Sequence, residues 1–262
     1  PTLGTSNVRF GVNAGNSIAS GGNYNVVVGD EAGTAITTGD QNTAVGYRAL
    51  FTNSTGGNNV ALGTYALDVN TTGASNTALG YLSLSANTTG TLNVAVGKDS
   101  MDSNTTGDNN VAVGVDALQA NTTANNNTAV GTSALLDNTT GTRLVAVGPN
   151  ALGNNTTAAY NIAVGFNALF VNTVGTGNVA VGDSALYLNT GSNNTAVGSF
   201  NGSILPALYN NTSGGNNIAV GTGALAANTT ASQNTAVGYQ SLFANTTAGT
   251  NVAVGYQAMY AN

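Results

Sequence analysis

The chain has 262 residues, only 5% of them are charged, and its formal net charge at pH 7 is −6. Ordinary soluble domains contain about 25% charged residues, so this composition is unusual for an enzyme-like globular domain. Four basic residues without a cluster argue against a nucleic-acid-binding surface. Cysteine and histidine are absent, which excludes disulfides, thiolate chemistry, the commonest metal ligands and the usual general base.

A glycine recurs every 17 residues along most of the chain, usually after Ala-Val or Ala-Leu. The spacing loses one residue before Gly198 and gains six before Gly221. Units this short cannot bury a core alone and must stack on their neighbours, so the period predicts a solenoid. The motif glycines are Gly11, Gly29, Gly46, Gly63, Gly80, Gly97, Gly114, Gly131, Gly148, Gly165, Gly182, Gly198, Gly221, Gly238 and Gly255.

The array is predicted to have an irregular beginning and a regular remainder. Residues 1–41 form irregular N-terminal rungs, and residues 42–262 form a β-solenoid of 17-residue rungs with an insertion at 199–206. The chain begins without Met and stops inside a repeat, so we expect it to be a piece of a longer protein. Its apolar runs are far shorter than a membrane span, so no membrane insertion by this segment is expected.

Each repeat predicts a short β-strand just before its motif glycine, which we number position zero. Position −3 is β-branched in every copy, and position −1 is Val or Leu except at Phe10. Position −2 is Ala except at Arg9 and Val27, so the strand has one bulky and one small apolar face. Frequent Gly, Asn and Thr argue against helix, and the predicted fold is all-β.

A second short strand is predicted at positions +3 and +4, where Ala or Ser precedes Leu or Met. The sequence Asn-Thr-Thr-Gly then closes the rung with residues suited to turns. Each rung is therefore predicted to contain two short strands and two turns, with like residues stacked about 4.8 Å apart. Fourteen or fifteen such rungs would make a rod of roughly 70 Å.

Asparagine forms two columns in the repeat: at position −4, where Leu144 is the exception, and at position +7 from Asn53 onward, where Leu205 in the insertion is the exception. Stacked carboxamides can hydrogen-bond from rung to rung, and Asn also tolerates the left-handed conformation of tight corners. Because Asn-Thr-Thr also matches the N-glycosylation sequon, modification is the alternative interpretation. The predicted ladder residues are Asn42, Asn59, Asn76, Asn93, Asn110 and Asn127 at −4, and Asn53, Asn70, Asn87, Asn104, Asn121 and Asn138 at +7.

The Ala column at −2 is expected to face outward, because the bulkier residues at −3 and −1 are expected to fill the interior. An outward Ala column would leave a long apolar stripe on a single chain. Small residues permit close approach of backbones, and identical chains present identical stripes. The sequence therefore predicts a homo-oligomer of parallel chains, most simply a trimer.

Only the acidic residues of this sequence suggest catalytic chemistry. Asp99 and Asp116 both occupy position +2 on consecutive rungs, which predicts a separation of about 5 Å, as in retaining glycosidases. No acid–base partner of another type accompanies them. We interpret them as solvated surface residues, and we predict no catalytic, cofactor-binding or metal-binding residues and no enzymatic activity.

Two aromatic pairs form a candidate binding platform near the end of the chain. Tyr239 and Tyr256 share position +1, and Phe243 and Tyr260 share position +5. Rings stacked on adjacent rungs suit either sugar binding or packing between chains.

The insertion at 199–206 is the one large break in the repeat, and its apolar residues are Phe200, Ile204 and Leu205. Insertions in repeat proteins form loops that often carry function, so these residues form a candidate recognition loop. The alternative is a bulge that covers a neighbouring subunit.

The repeats resemble two known groups of surface proteins. Asn-Val-Ala-Val-Gly and Asn-Thr-Ala-Leu-Gly resemble the YadA-like head repeats of trimeric autotransporter adhesins, and the fuller 17-residue unit resembles phage tail-fibre repeats. The resemblance implies a left-handed parallel β-roll in a homotrimeric rod exposed on a cell or virion. The 17-residue unit is longer than that of the adhesin heads.

The resulting expectation is a structural rod of an extracellular fibre: an adhesin head, a phage tail fibre or a surface filament. Its partners would be copies of itself, together with a cell-surface glycan or protein receptor. The alternative is an ice- or surface-binding β-solenoid that uses Thr and Asn ladders. Alternation of Thr with Val at position −3 argues against a regular hydroxyl lattice.

Overall fold

A computed structural model describes residues 4–261, which form two compact units, 4–127 and 128–261. The first unit contains β1 (Val8–Phe10), β2 (Val26–Val28), β3 (Thr43–Val45), β4 (Val60–Leu62), β5 (Thr77–Leu79), β6 (Val94–Val96) and β7 (Val111–Val113). The second contains β8 (Thr128–Val130), β9 (Val145–Val147), β10 (Ile162–Val164), β11 (Val179–Val181), β12 (Thr195–Val197), β13 (Ile218–Val220), β14 (Thr235–Val237) and β15 (Val252–Val254). No helix occurs in 4–261.

Within each unit, every strand pairs in parallel with the next strand along the chain. Ala44 lies opposite Ala61, and Ala163 lies opposite Ala180, so equivalent positions stack in register. Each unit is therefore a parallel β-solenoid in which one rung takes about 17 residues. The prediction of an all-β repeat solenoid is confirmed.

The Ala column faces inward, so the predicted orientation of the strand is wrong. Ala44, Ala61 and Ala78 are fully buried, whereas Val60 and Leu62 are 40% and 45% exposed. Both faces of the strand are apolar, so side-chain size determines which face is buried. The interior of so small a rung has room only for a methyl group beside the leucine at +4.

Exceptions to the Ala column show how tight the interior is. Where Val27 replaces Ala, position +4 is Gly33, and a Cβ added to Gly33 would lie 2.6 Å from Val27 Cγ1. Gly15, at +4 of the rung in which the exposed Arg9 replaces Ala, also lies against Val27, since a Cβ there would be 3.0 Å from Val27 Cγ2. Positions −2 and +4 therefore share one space, and a larger side chain at one requires a glycine at the other.

The second predicted strand is absent from the described rungs, where positions +1 to +6 form turns instead. Ala49 and Leu50 are adjacent and both fully buried, which a strand does not permit because its neighbouring side chains point to opposite faces. Left-handed conformations make this possible: φ is 54° at both Arg48 and Leu50. Bonds between rungs continue through the turn, since the Leu50 N–H donates to the Ala66 carbonyl at 2.9 Å.

A left-handed leucine is costly, yet position +4 adopts this conformation in rung after rung. The backbone penalty is about 1–2 kcal/mol per residue. Full burial of a leucine side chain stabilises the fold by about 1.5–3 kcal/mol, which offsets that penalty. Burial therefore holds this turn in shape.

We predict that Leu118→Asp strongly destabilises the first unit. Leu118 is fully buried with φ of 54°. Asp tolerates that φ better than Leu does, so the loss, about 3–5 kcal/mol, would come from the buried unpaired carboxylate. The control is Asp116→Asn on the same turn, where φ is 56° and Asn keeps the backbone preference. Thermal melts should show a large loss only for Leu118→Asp, and equal melts would contradict the assignment of the interior.

Candidate functional site

The asparagines at position −4 form a buried ladder that ties each strand to the rung before it. The backbone N–H of Asn59 donates to Oδ1 of Asn42 at 3.0 Å, and the N–H of Asn76 donates to Oδ1 of Asn59 at 3.0 Å. Nδ2 of Asn59 also donates to the Gly73 carbonyl at 2.9 Å, which joins the beginning of a rung to its end. The predicted ladder at this position is confirmed.

The asparagines at position +7 form a second buried ladder through their side chains alone. Nδ2 of Asn70 donates to Oδ1 of Asn53 at 2.7 Å, and Nδ2 of Asn87 donates to Oδ1 of Asn70 at 2.8 Å. Nδ2 of Asn70 also donates to the Gly73 carbonyl at 2.9 Å. One glycine carbonyl therefore accepts from both columns and uses both of its lone pairs.

One detail of these columns differs from expectation. The left-handed residues lie at −5, +2 and +4 and not in the ladders, as at Asn58, Arg48 and Leu50. The gap at Leu205 is confined to the insertion, because Asn211 continues the column by donating to Oδ1 of Asn189 at 2.6 Å. The insertion changes the sequence spacing of the ladder residues, but their side chains still stack and bond.

The one-residue deletion interrupts the +7 ladder where the insertion does not. Oδ1 of Asn172 is buried without a hydrogen-bond partner. Asn189 instead donates to the Gly191 carbonyl at 2.8 Å, and its Oδ1 accepts from Asn194 at 3.2 Å. A turn shortened by one residue thus redirects the amide.

The sequon asparagines are ladder members, which favours the structural interpretation of their sequence. Asn53, Asn70 and Asn87 are fully buried and hydrogen-bonded. A glycan on any of these side chains would require its removal from the interior.

We predict that Asn87→Ala destabilises the first unit. Asn87 donates to Oδ1 of Asn70 and accepts from Nδ2 of Asn104 at 2.9 Å. Each buried group left without a partner costs about 1–3 kcal/mol. Asn16→Ala, at an exposed side chain of the same unit, is the matched control. Denaturant unfolding should lower the midpoint for Asn87→Ala alone; two equal midpoints would show that the ladder contributes little.

The acidic residues do not form a metal centre in the described part of the chain. No group of three His, Cys, Asp or Glu suited to a metal ion occurs in 4–261. Lys98 pairs with Asp99, next to the other +2 aspartate, Asp116. Burial raises the pKa of the Asp102 carboxyl, and a hydrogen bond from Ser103 opposes that rise.

A second charged cluster surrounds Arg48. Its Nε lies 3.3 Å from Asp68 and 3.9 Å from Glu31, and its guanidinium lies 4.1 Å from the centroid of the Phe51 ring. Burial raises the pKa of the Asp68 carboxyl, while Arg48 lowers it. The charged groups of this cluster are paired with one another, which is typical of a structural surface cluster.

The aromatic residues singled out from the sequence do stack. The ring centroids of Tyr239 and Tyr256 are 5.4 Å apart, and those of Phe243 and Tyr260 are 5.2 Å apart, with interplanar angles of 7° and 2°. Tyr256 is 73% exposed. Their use as a sugar platform stays a prediction.

Sequence reasoning missed a longer stack at position +5 in the second unit. Phe170, Tyr187 and Tyr209 stack with centroid separations of 5.5 and 5.3 Å. The signal was present, because Phe170 and Tyr187 are equivalent positions of consecutive rungs. Tyr209 takes the equivalent position in the following rung once the insertion is removed from the count.

The insertion leaves the strand pairing undisturbed and forms a cavity beside the stack. Thr195 lies opposite Ile218 in the ordinary register on either side of it. Phe200 is 44% exposed, and a Cβ added to Gly223 would lie 3.0 Å from Cγ2 of Ile204, so the loop folds back over that glycine. The cavity has a volume of about 230 Å³ and is lined by Ser184, Phe200, Leu205, Pro206 and Tyr209.

A second cavity, of about 210 Å³, lies beside β1 and is lined by Gly4, Ser6, Asn7, Arg9 and Ile18. Nε of Arg9 donates to the Ala14 carbonyl at 2.9 Å. Arg9 therefore already has a partner within its own rung.

Comparison with known proteins adds no family to this description. No protein-family model matches the chain, and no curated protein shows significant similarity to it. Within 4–261 there is also no helix of the length and hydrophobicity that a membrane-spanning segment requires.

Proposed function

We propose that the chain is a non-catalytic structural segment of an extracellular fibre, built as a left-handed β-roll and assembled as a homotrimeric rod. The resemblance to adhesin-head and phage tail-fibre repeats suggests the location and the hand. The observation that carries the proposal is the outward face of the strands.

That outward face consists of positions −3 and −1 of successive strands. Its residues are Val, Thr, Ile and Leu, apart from Phe10, and no charged residue occupies it in β1–β15. Val60, Leu62 and Leu79 are exposed members of it in the first unit, as are Ile162, Ile218 and Val220 in the second. Largely apolar exposed surfaces of this kind mark interaction sites, and identical chains carry identical copies of them.

The face proposed to mediate self-association is therefore the one formed by positions −3 and −1, and not the Ala face predicted from the sequence. The Ala column is interior and cannot contact another chain. The larger residues at −3 and −1 offer more apolar area per rung than Ala would, which strengthens the physical argument for burial against a second copy.

The composition and the ladders support a structural role over catalysis. The chain has no His or Cys and only 10 carboxylates. The commonest side chain with hydrogen-bonding potential in the interior, asparagine, is committed to ladders. The proposal therefore assigns no reaction to the chain.

Charge placed on the outward face tests this proposal. We predict that Leu62→Lys combined with Leu79→Lys converts the oligomer to monomer, because both positions lie on the outward face. Thr55→Lys combined with Thr72→Lys adds the same charge at exposed turn residues and should leave the assembly unchanged. Sedimentation measures both. A stable, folded monomer of the unmodified chain at micromolar concentration would contradict the proposal.

The orientation of the strand favours a second candidate function, the binding of ice or another regular surface. Thr43, Thr77 and Thr128 occupy position −3 on the outward face, where rungs repeat about every 4.8 Å. Val or Ile at most of the other −3 positions breaks the hydroxyl lattice. This function predicts thermal hysteresis in freezing solutions that falls on Thr77→Val; the fibre proposal predicts none.

A further inference from the structure

We infer that the cavity beside the insertion binds one neutral pyranose ring of a carbohydrate. This activity goes beyond a structural role. One chain supplies every residue that lines the cavity.

The aromatic stack contributes one lining residue of the site. Tyr209 lines the cavity and is the last of three stacked rings, with an interplanar angle of 10° to Tyr187. Stacking on Tyr187, which itself stacks on Phe170, fixes the Tyr209 ring before any ligand arrives. A fixed aromatic ring with a polar hydroxyl suits a sugar, which has both apolar C–H surfaces and hydroxyl groups.

The insertion supplies three of the five lining residues and is internally organised. Oδ1 of Asn201 accepts from the backbone N–H groups of Ser203 at 3.1 Å and Ile204 at 2.9 Å. The N–H of Phe200 donates to the Asp183 carbonyl at 3.2 Å, and Pro206 is buried. These contacts limit the freedom of the loop and so lower the entropic cost of binding.

The polar groups at the rim favour a neutral ligand with hydroxyls. Ser184 Oγ donates to Oδ1 of Asp183 at 2.6 Å, which leaves the Ser184 oxygen free to accept a hydrogen bond from a ligand hydroxyl. None of the five lining residues is charged. The nearby Asp183 carboxylate and the net charge of −6 disfavour an anionic sugar.

The volume sets the size of the ligand. Pockets for drug-sized molecules measure about 300–1,000 Å³, whereas this cavity measures about 230 Å³. One six-membered ring fits such a space while the rest of a glycan extends into solvent. A prolyl side chain has similar size but no hydroxyl to donate to Ser184, so the polar rim favours the sugar.

The test uses the full chain and neutral methyl pyranosides of glucose, galactose, mannose and N-acetylglucosamine, detected by saturation-transfer NMR. At least one should bind at millimolar concentrations. Phe200→Ala should weaken that binding roughly tenfold or more, because it removes one aromatic wall. Phe200→Tyr should retain it. Phe166→Ala, at another exposed phenylalanine of the same unit that does not line the cavity, should have no effect.

Three outcomes would overturn the inference: no pyranoside binds, Phe200→Ala binds as well as the unmodified chain, or a proline-rich peptide binds in place of every sugar. Thermal melts of each variant verify that the fold is retained. The fibre proposal is tested separately by sedimentation, which does not depend on sugar binding, so the two failures are distinguishable.

Discussion

The hydrogen-bonded asparagine carboxamides inside the rungs are the interaction on which the rest of the structure depends. A 17-residue rung encloses little apolar volume, and its interior contains mainly Ala methyl groups and one Leu. Asn59 and Asn70 both donate to the Gly73 carbonyl, and the side chains of each column also bond to the next rung. Buried amides satisfied in this way close the rung and fix the register at the same time.

Much of this arrangement could be predicted from the sequence, because equivalent residues of successive repeats are expected to stack on one another. The β-branched residues before each motif glycine located the strands, as at Thr43–Val45, and the Asn columns predicted the ladders. The orientation of the strand could not be read in the same way, because neither face carries charge. The pairing of Val27 with Gly33 was the signal that positions −2 and +4 share the interior.

Other differences came from conformations that residue preferences disfavour. Nothing in the sequence identifies Leu50 as left-handed, and so the sequence predicts a strand at +3 and +4 where the structure has a turn. Counting through the insertion leaves a gap at Leu205, although Asn211 continues the ladder there. The cavity beside Phe200 depends on how the loop folds back over Gly223, which no periodicity encodes.

The most direct measurement is hydrogen exchange of the asparagine side-chain amides, followed by NMR. Side-chain Nδ2 protons of ladder residues such as Asn70 and Asn87 should exchange orders of magnitude more slowly than those of the exposed Asn16, because each is buried and donates twice. Protection should match that of the backbone amides of the neighbouring strands. Rapid exchange of the ladder amides in a folded chain would contradict the account.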